Sequence, residues 1–467
     1  MRLSLLALVL LTAAAQAALR PNIVFILADD LGIGDVGVYG QTKIKTPNID
    51  RIAAEGMRFT NFYSGSAVCA PSRCTLVTGK HTGHSAVRDN LERGRTVEGQ
   101  QPMPRETKTI AQMLHAAGYF TGIIGKWGLG MPEEQSGPND FGFDYSYGYL
   151  CQRVAHTYYP DHLWRNQQRE ALPGNPPTTL SGDWQIEPGG QTYSHDLMAA
   201  DALRFVRDRK AAPFFLYLAF TIPHVSLQVP EEALAEYQFE EVPIPQKHYS
   251  AQARPRAAYA AMVSRMDRDI GRLMTELKAQ GVDENTLVIF TSDNGVTFSN
   301  AEIMAKFFSS NAGLRGMKGD LYEGGIRTPF LARWPGRIAA GSTSAQLGAF
   351  WDMMPTFGEL AGAPGPVETD GISIVPALLG KTAEQKQHEF LYWEYHSGGS
   401  SQAVRMGPWK GIRTGVKKNP QAPVELYELA SDPAEMKDVA GEHPEVVEKV
   451  KAALRTRTRS EVAAWNF

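Results

Sequence analysis

The sequence predicts an α/β fold: a large mixed, mostly parallel sheet sandwiched by helices, with a small C-terminal α+β subdomain built on an antiparallel sheet. Three observations carry this. Apolar runs at 22–27, 213–220 and 286–291 lack the alternation of a half-exposed strand and read as strands buried on both faces. Between them lie amphipathic stripes of helical period, the clearest being Met262, Met266, Ile270, Leu273 and Leu277. Beyond Lys381 the pattern changes to short strands at 390–395, 402–406, 409–413 and 425–429, followed by a helix at 444–456.

Composition sets the outer limits. A chain of 467 residues with 43% hydrophobic content fills a large core and one appendage, and a formal net charge of −3 argues against a nucleic-acid partner, which a basic excess would mark. Met1-Arg2, the apolar stretch 3–11 and Ala15-Gln16-Ala17 form the three parts of a signal peptide, cut after Ala17. That stretch falls short of the ~20 residues of a spanning helix, so export to the periplasm or the medium is expected, without membrane insertion after cleavage. The expected divisions are 1–17 for the signal peptide, 18–380 for the main domain and 381–467 for the subdomain. Of the three cysteines, Cys69, Cys74 and Cys151, the last two are read as free buried thiols, pairing being the alternative.

In chain order, the first strand stops at Asp29-Asp30, two carboxylates at the end where open α/β sheets bind ligands. Thr46-Pro47 starts a helix whose inner stripe is Ile49, Ile52 and Ala53. Residues 57–63 read as a strand leading to Cys69, which precedes Pro71 and a helix opening there. A helix N-terminus attracts anions and lowers a thiol's pKa. The polar loop that follows holds His81, His84, Arg88 and Asn90, the last two being substrate-contact candidates by their nearness in sequence. A helix at 107–117 and a strand at 119–124 lead to Lys126, again at a strand's carboxyl end.

The stretch 137–166 is dense in aromatics interleaved with polar groups and reads as an insertion suited to a sugar ring, with Arg153, His156 and Trp164 as candidate contacts. After a helix at 191–209, the strand 213–220 ends near His224, a histidine placed for proton transfer at neutral pH. The strand 286–291 ends at Asp293-Asn294. With Asp29 and Asp30 these make a hard oxygen set that suits Ca²⁺, Mg²⁺ less well, and zinc poorly. A helix is expected at 352–361. In the subdomain Trp393, Glu394, His396 and Arg405 are read either as reaching the rim of the cleft or as a structural cap.

Cys69-Ala-Pro-Ser-Arg73 with Thr78-Gly-Lys80, the run Gly125-Lys126-Trp127-Gly128-Leu129-Gly130, and the glycine-rich stretch 313–329 that carries Lys318 resemble signatures of the type I sulfatases, in the alkaline-phosphatase-like superfamily. The likeness runs through nearly the whole mature chain and extends to bacterial glycan sulfatases. It implies that a maturation enzyme converts Cys69 to formylglycine, whose hydrated aldehyde attacks sulfur, and that residue 69 adds an oxygen to the cation site. It further implies that Arg73, Lys126 and Lys318 position the nucleophile and neutralise the sulfuryl oxygens, and that His224 serves the leaving group. The substrate implied is a sulfated carbohydrate, a galactose or N-acetylgalactosamine sulfate. One position departs from the family: its run reads Gly-Lys-Trp-His-Leu-Gly, and the histidine, which takes a proton when sulfate is expelled, is Gly128 here. His81 and His84 are the replacements considered. The rival readings are a phosphoester or phosphonate hydrolase of the same superfamily and a non-catalytic relative that binds sulfated glycans.

Overall fold

The computed structural model describes residues 20–94, 96–180, 185–364 and 368–467. The expected signal peptide lies outside the described residues.

The main sheet runs in the order β11-β2-β10-β9-β1-β8-β4-β5-β6-β7. Its strands are β1 (Asn22–Ala28), β2 (Met57–Phe59), β4 (Phe120–Lys126), β5 (Tyr145–Tyr149), β6 (His162–Arg165), β7 (Gln168–Ala171), β8 (Phe214–Ala219), β9 (Thr286–Ser292), β10 (Phe330–Arg333) and β11 (Ser342–Ser344). The central strands β9, β1, β8, β4 and β5 are parallel, and antiparallel partners flank them on both sides. Side chains alternate along each strand, so β1 sends Val24 and Ile26 to one core and Ile23, Phe25 and Leu27 to the other. Helices α1 (Pro47–Ala54), α4 (Ser194–Arg209) and α5 (Pro255–Ala279) cover the first face. Helices α2 (Cys69–Thr78), α3 (Ile110–Ala116) and α6 (Met353–Ala361) cover the second. The all-apolar reading of the central strands follows from this double cover.

The 57–63 strand is broken in two. After β2 the chain leaves the main sheet, and β3 (Phe62–Tyr63) pairs with β12 (Gly348–Ala349), which carries it toward Cys69. Helix α2 begins at Cys69 itself, with Val68 as the extended residue before it, so Pro71 is the third helical residue rather than the opening one. Helix α3 starts at Ile110, three residues later than the apolar period predicts. There the Thr109 side chain accepts from the Gln112 N–H and fixes the first turn.

The aromatic stretch is not an insertion. Its residues build β5 and β6, which extend the main sheet, and Phe141, Phe143, Tyr147, Tyr149 and Tyr158 are buried in the two cores. The C-terminal sheet joins β13 (Leu391–Tyr395), β14 (Ser401–Met406), β15 (Trp409–Thr414) and β16 (Glu425–Glu428) in antiparallel sequence. Helix α7 (Pro444–Leu454) packs on one side of it, while Trp393, Ala403, Ile412 and Tyr427 face Tyr63, Ala67 and Trp351 of the main domain. Among the described residues, no helix is long and apolar enough to cross a membrane.

Candidate active site

The ends of four central strands and the start of α2 meet at one point. Backbone hydrogen bonds carry the ladder one residue past β1 and β9, with Asp29 N–H donating to Ile222 and Asp293 N–H to Ala28, so Asp29-Asp30 and Asp293-Asn294 leave the sheet in fixed positions. Asp30 takes a left-handed turn, φ 65°, which aspartate tolerates better than most residues. Lys126 is the last residue of β4, and His224 stands on the turn after β8. Tyr158 braces that turn by donating to the carbonyls of Thr221, at 2.6 Å, and His224, at 2.9 Å. Lys318 arrives on a loop whose backbone is pinned at two points, Lys318 N–H donating to Val296 after β9 and Gly319 N–H to Ala67 before α2.

These side chains interlock around the Cys69 thiol. Its Sγ lies 3.4 Å from Asp29 Oδ1 and accepts from Lys318 Nζ at 3.2 Å. Lys318 also donates to Asp30 Oδ1, at 2.7 Å, and Lys126 donates to Asp29 Oδ2, at 2.7 Å. Arg73 gives two hydrogen bonds to Asp293 Oδ2, at 2.7 and 3.1 Å, a third to the Lys126 carbonyl, and stands 3.4 Å from Asp29 Oδ2. His224 Nε2 lies 3.6 Å from Asp30 Oδ2 and its Nδ1 is bound to the Val225 carbonyl. All of these groups are buried or nearly so.

The electrostatics follow from burial and from that packing of charges. Burial works to raise Asp29, but Lys126, His224, Arg73 and Lys318 hold it well below the usual carboxylate range, while burial and the Asp29 charge push Asp293 up. Burial and Asp29 also push the Cys69 thiol up to about 12, so as an unmodified cysteine it supplies no thiolate near neutral pH. Burial opposes the charge of Lys318, yet Asp30 and the thiol keep its pKa well above the ordinary value. Burial lowers His224 to about 4 against the pull of Asp30.

Two oxygens in this cluster, Asp30 Oδ2 and Asn294 Oδ1, are buried and without a hydrogen-bond partner. Asn294 meanwhile turns its Nδ2 to Asp30 Oδ1, at 2.8 Å. Buried oxygens are rarely left bare, and a pair of them beside Asp29 and the residue 69 side chain fits a hard cation.

The predicted substrate contacts divide. Asn90 is exposed and belongs to the site: its Oδ1 accepts the Ala70 N–H, at 2.9 Å, next to the nucleophile. His156 lies flat against His224. Arg88, in contrast, is buried and spends its guanidinium on Glu394, Thr458 and the Ser85 carbonyl, so it ties the loop to the C-terminal segment. Arg153 pairs with Glu92, at 3.2 Å. Trp164 sits on β6, between β5 and β7, packed against the second core, with its Nε1 bound to Glu98 at 3.1 Å. Trp393, Glu394, His396 and Arg405 are buried and form the structural cap. His81 and His84 do not replace the missing histidine. They stack on one another at 4.1 Å and are taken up by Asp370, the Gly83 N–H and the Thr456 carbonyl. What fills the place of a side chain at Gly128 is Gln152, whose Nε2 donates to Asn90 Oδ1 at 3.3 Å. Gln152, His248 and Tyr249 were invisible in the sequence because none of them lies at the end of an apolar run. Cys74 and Cys151 are buried free thiols.

Among known families, the sulfatase profile matches residues 21–363, from the start of β1 to just past α6. The chain belongs to the sulfatase family. A second profile, N-sulphoglucosamine sulphohydrolase, C-terminal, matches residues 317–462 of this sulfatase. It is 36% identical to arylsulfatase A of Homo sapiens over 95% of this chain and 89% of that protein. It is 32% identical to N-acetylgalactosamine-6-sulfatase of Canis lupus familiaris over 85% of this chain and 72% of the relative. The crystal structure of Ps i-CgsB in complex with k-i-k-neocarrahexaose superposes with a TM-score of 0.78 at 30% identity, covering 95% of this chain and 94% of that one. The protein is accordingly an enzyme, a sulfuric ester hydrolase.

Proposed function

We propose that this sulfatase removes sulfate from a carbohydrate, a galactose or N-acetylgalactosamine sulfate in a glycan, at the cleft around residue 69. The observation that carries the reading is the arrival of Lys126, Lys318 and Arg73 from three separate parts of the chain around one buried position at a helix N-terminus. Such a set of fixed donors suits a tetrahedral sulfuryl group whose oxygens gain charge in the transition state. The sugar is supported by the names of the relatives, N-acetylgalactosamine-6-sulfatase and the neocarrahexaose complex. The leader-like residues 1–17 support export to the periplasm or the medium, where such glycans are met.

In this reading a maturation enzyme turns Cys69 into formylglycine, whose hydrated aldehyde offers one oxygen to attack sulfur; the second hydroxyl then gives its proton to water, in place of the histidine absent at Gly128, as the aldehyde re-forms and sulfate leaves. Asp29, Asp30, Asp293 and Asn294, with an oxygen on residue 69, would hold one Ca²⁺, whose charge would polarise the sulfuryl group and lower the pKa of the attacking hydroxyl. Lys318, in reach of both residue 69 and Asp30, holds the nucleophile and one sulfuryl oxygen. Lys126 takes another, while Arg73 orients Asp29 and Asp293. His224, whose Nδ1 donates to the Val225 carbonyl, would protonate the departing alcohol oxygen from Nε2 as the imidazolium, a form that the negative charge of a sulfuryl group bound beside it favours against burial. Mass spectrometry of the peptide bearing residue 69 tests the chemistry: active enzyme should carry the aldehyde, and an unmodified thiol in active enzyme would end the mechanism.

A further inference from the structure

On the His224 side of residue 69 the fold assembles rings from two segments far apart in sequence. His156, in the turn Val154–His156, lies parallel to the His224 ring, with centroids 4.9 Å apart and planes 12° from each other. Its Nδ1 is 3.2 Å from Nε2 of His248. Tyr249 closes the group edge-on, 5.4 Å from the His156 ring and 6.4 Å from that of His224. His248 and Tyr249 belong to the irregular segment that precedes α5.

The group opens outward. His224 is buried, His156 and Tyr249 are half-buried, and His248 is exposed. A ring cluster that served only packing would be closed over, whereas this one runs from the reaction centre to solvent. Burial, against the charge of Lys318, pushes the Tyr249 phenol up to about 12, so it stays protonated and can both give and accept a hydrogen bond. Burial and the charges of His224, Lys126, His248 and Lys318 keep His156 a neutral imidazole, able both to give and to accept a hydrogen bond.

We propose that Tyr249, His156 and His248 form the subsite for the leaving alcohol, a hydroxylated sugar ring that sets its apolar face on the rings and its hydroxyls against the phenol and the imidazoles. The proposal rests on the carbohydrate-sulfate reading above and adds which side chains choose the sugar. Its logic is positional. If His224 serves the oxygen that departs, the carbon bearing that oxygen and the neighbouring ring hydroxyls continue away from sulfur along the rings packed beside His224. A site built to hydrogen-bond a substrate hydroxyl rejects an analogue that lacks it far more strongly than an apolar pocket does.

The test uses the full chain with Tyr249→Phe, Tyr249→Ala and His156→Asn. Each is assayed on regioisomeric sulfated monosaccharides and on 4-nitrophenyl sulfate, with inorganic sulfate as inhibitor. For at least one of the Tyr249 variants and for His156→Asn, kcat/KM on the preferred sugar should fall by about thirtyfold or more relative to the aryl sulfate, chiefly through KM. The Ki of inorganic sulfate, which fills only the sulfuryl pocket, should move by less than about threefold. Equal losses on both substrates, a matching loss of inorganic sulfate binding, or an unchanged sugar preference would each overturn the subsite. Wild-type enzyme that cleaves the aryl sulfate but no sulfated sugar would overturn the carbohydrate reading and the subsite together. Sugar hydrolysis with indifferent variants overturns the subsite alone.

Discussion

At Gly128 the backbone turns with φ 73°, and a Cβ placed there would stand 2.8 Å from Cγ of Gln152. That glutamine is buried and reaches, through Asn90, the Ala70 N–H beside the nucleophile. Putting the family's histidine back is therefore expected to harm the protein. Gly128→His should cost about 1–2 kcal/mol for the left-handed backbone alone and more for the displaced Gln152, seen as a lower urea midpoint, with no gain in kcat. Adding Gln152→Ala should recover the steric part only. A stable single variant with faster turnover would show that the glycine is a loss rather than an adaptation. The same locality explains which site residues were readable in advance. Asp29, Asp30, Asp293 and Asn294 follow apolar runs and Lys126 closes one, so the strand ends announced them. Arg88 was misjudged because nearness in sequence to α2 says nothing of direction, and its guanidinium points into Glu394. Tyr249 stands in an irregular segment with no period, and only the folded chain brings it to His156.

Among the elements, β13 shows how a strand of the C-terminal sheet is fastened to the main domain. Glu394 is fully buried on it and accepts from Arg88 at 2.9 Å, Arg457 at 2.8 Å and Tyr392 at 2.7 Å, with His396 Nε2 at 3.0 Å. Burial opposes ionisation, but His396, Arg457 and Arg88 together bring this carboxyl down to about 2, from the 4.5 of an ordinary glutamate. The unfolded chain thus binds the extra proton first as pH falls. Glu394 contributes stability in full above pH 4.5 and loses it as pH drops through about 2. Glu394→Gln leaves the Arg88 guanidinium buried against an amide, at an expected cost of about 3 kcal/mol at neutral pH. Urea unfolding as a function of pH should also show a flatter acid limb for the variant between 4.5 and about 2. An unchanged slope would mean that other carboxylates govern acid unfolding. The elements themselves were the most legible part of the chain. Double burial makes the central strands plain, helix α4 begins within three residues of its expected start, and α5 carries the predicted Met262 to Leu277 stripe inward. The exceptions have local causes: a side-chain cap delays α3, and the departure of β3 to pair with β12 breaks an apolar run that looks continuous.

For the molecule as a whole, residue 380 divides two topologies, and we expect the two parts to unfold as one unit. One face of the C-terminal sheet shares a core with Tyr63, Ala67, Leu321, Ile326 and Trp351, and Trp393 Nε1 donates to the Ser64 carbonyl at 3.0 Å. Lys410 of β15 is buried between Glu323, at 2.8 Å, and Glu435, at 2.9 Å, and Arg405 stands 3.6 Å from the same Glu323. Glu323 lies five residues beyond Lys318, on the stretch that brings that lysine to residue 69. The second family profile, at 317–462, likewise straddles 380. A chain ending at 380 would leave Glu323 without the Lys410 and Arg405 charges and would expose the faces of Tyr63 and Trp351. Glu323 would keep Arg327 and the Tyr63 hydroxyl, but the core that Tyr63, Ala67, Leu321, Ile326 and Trp351 share with the C-terminal sheet would be laid open to water, a large loss beside a typical net stability of about 5–15 kcal/mol. Residues 18–380 expressed alone should accordingly show no cooperative melting transition and no sulfatase activity, and calorimetry of the full chain should give one transition rather than two. A folded, active fragment would mean that Lys318 is positioned by its own loop, through its N–H to Val296, without help from the C-terminal sheet.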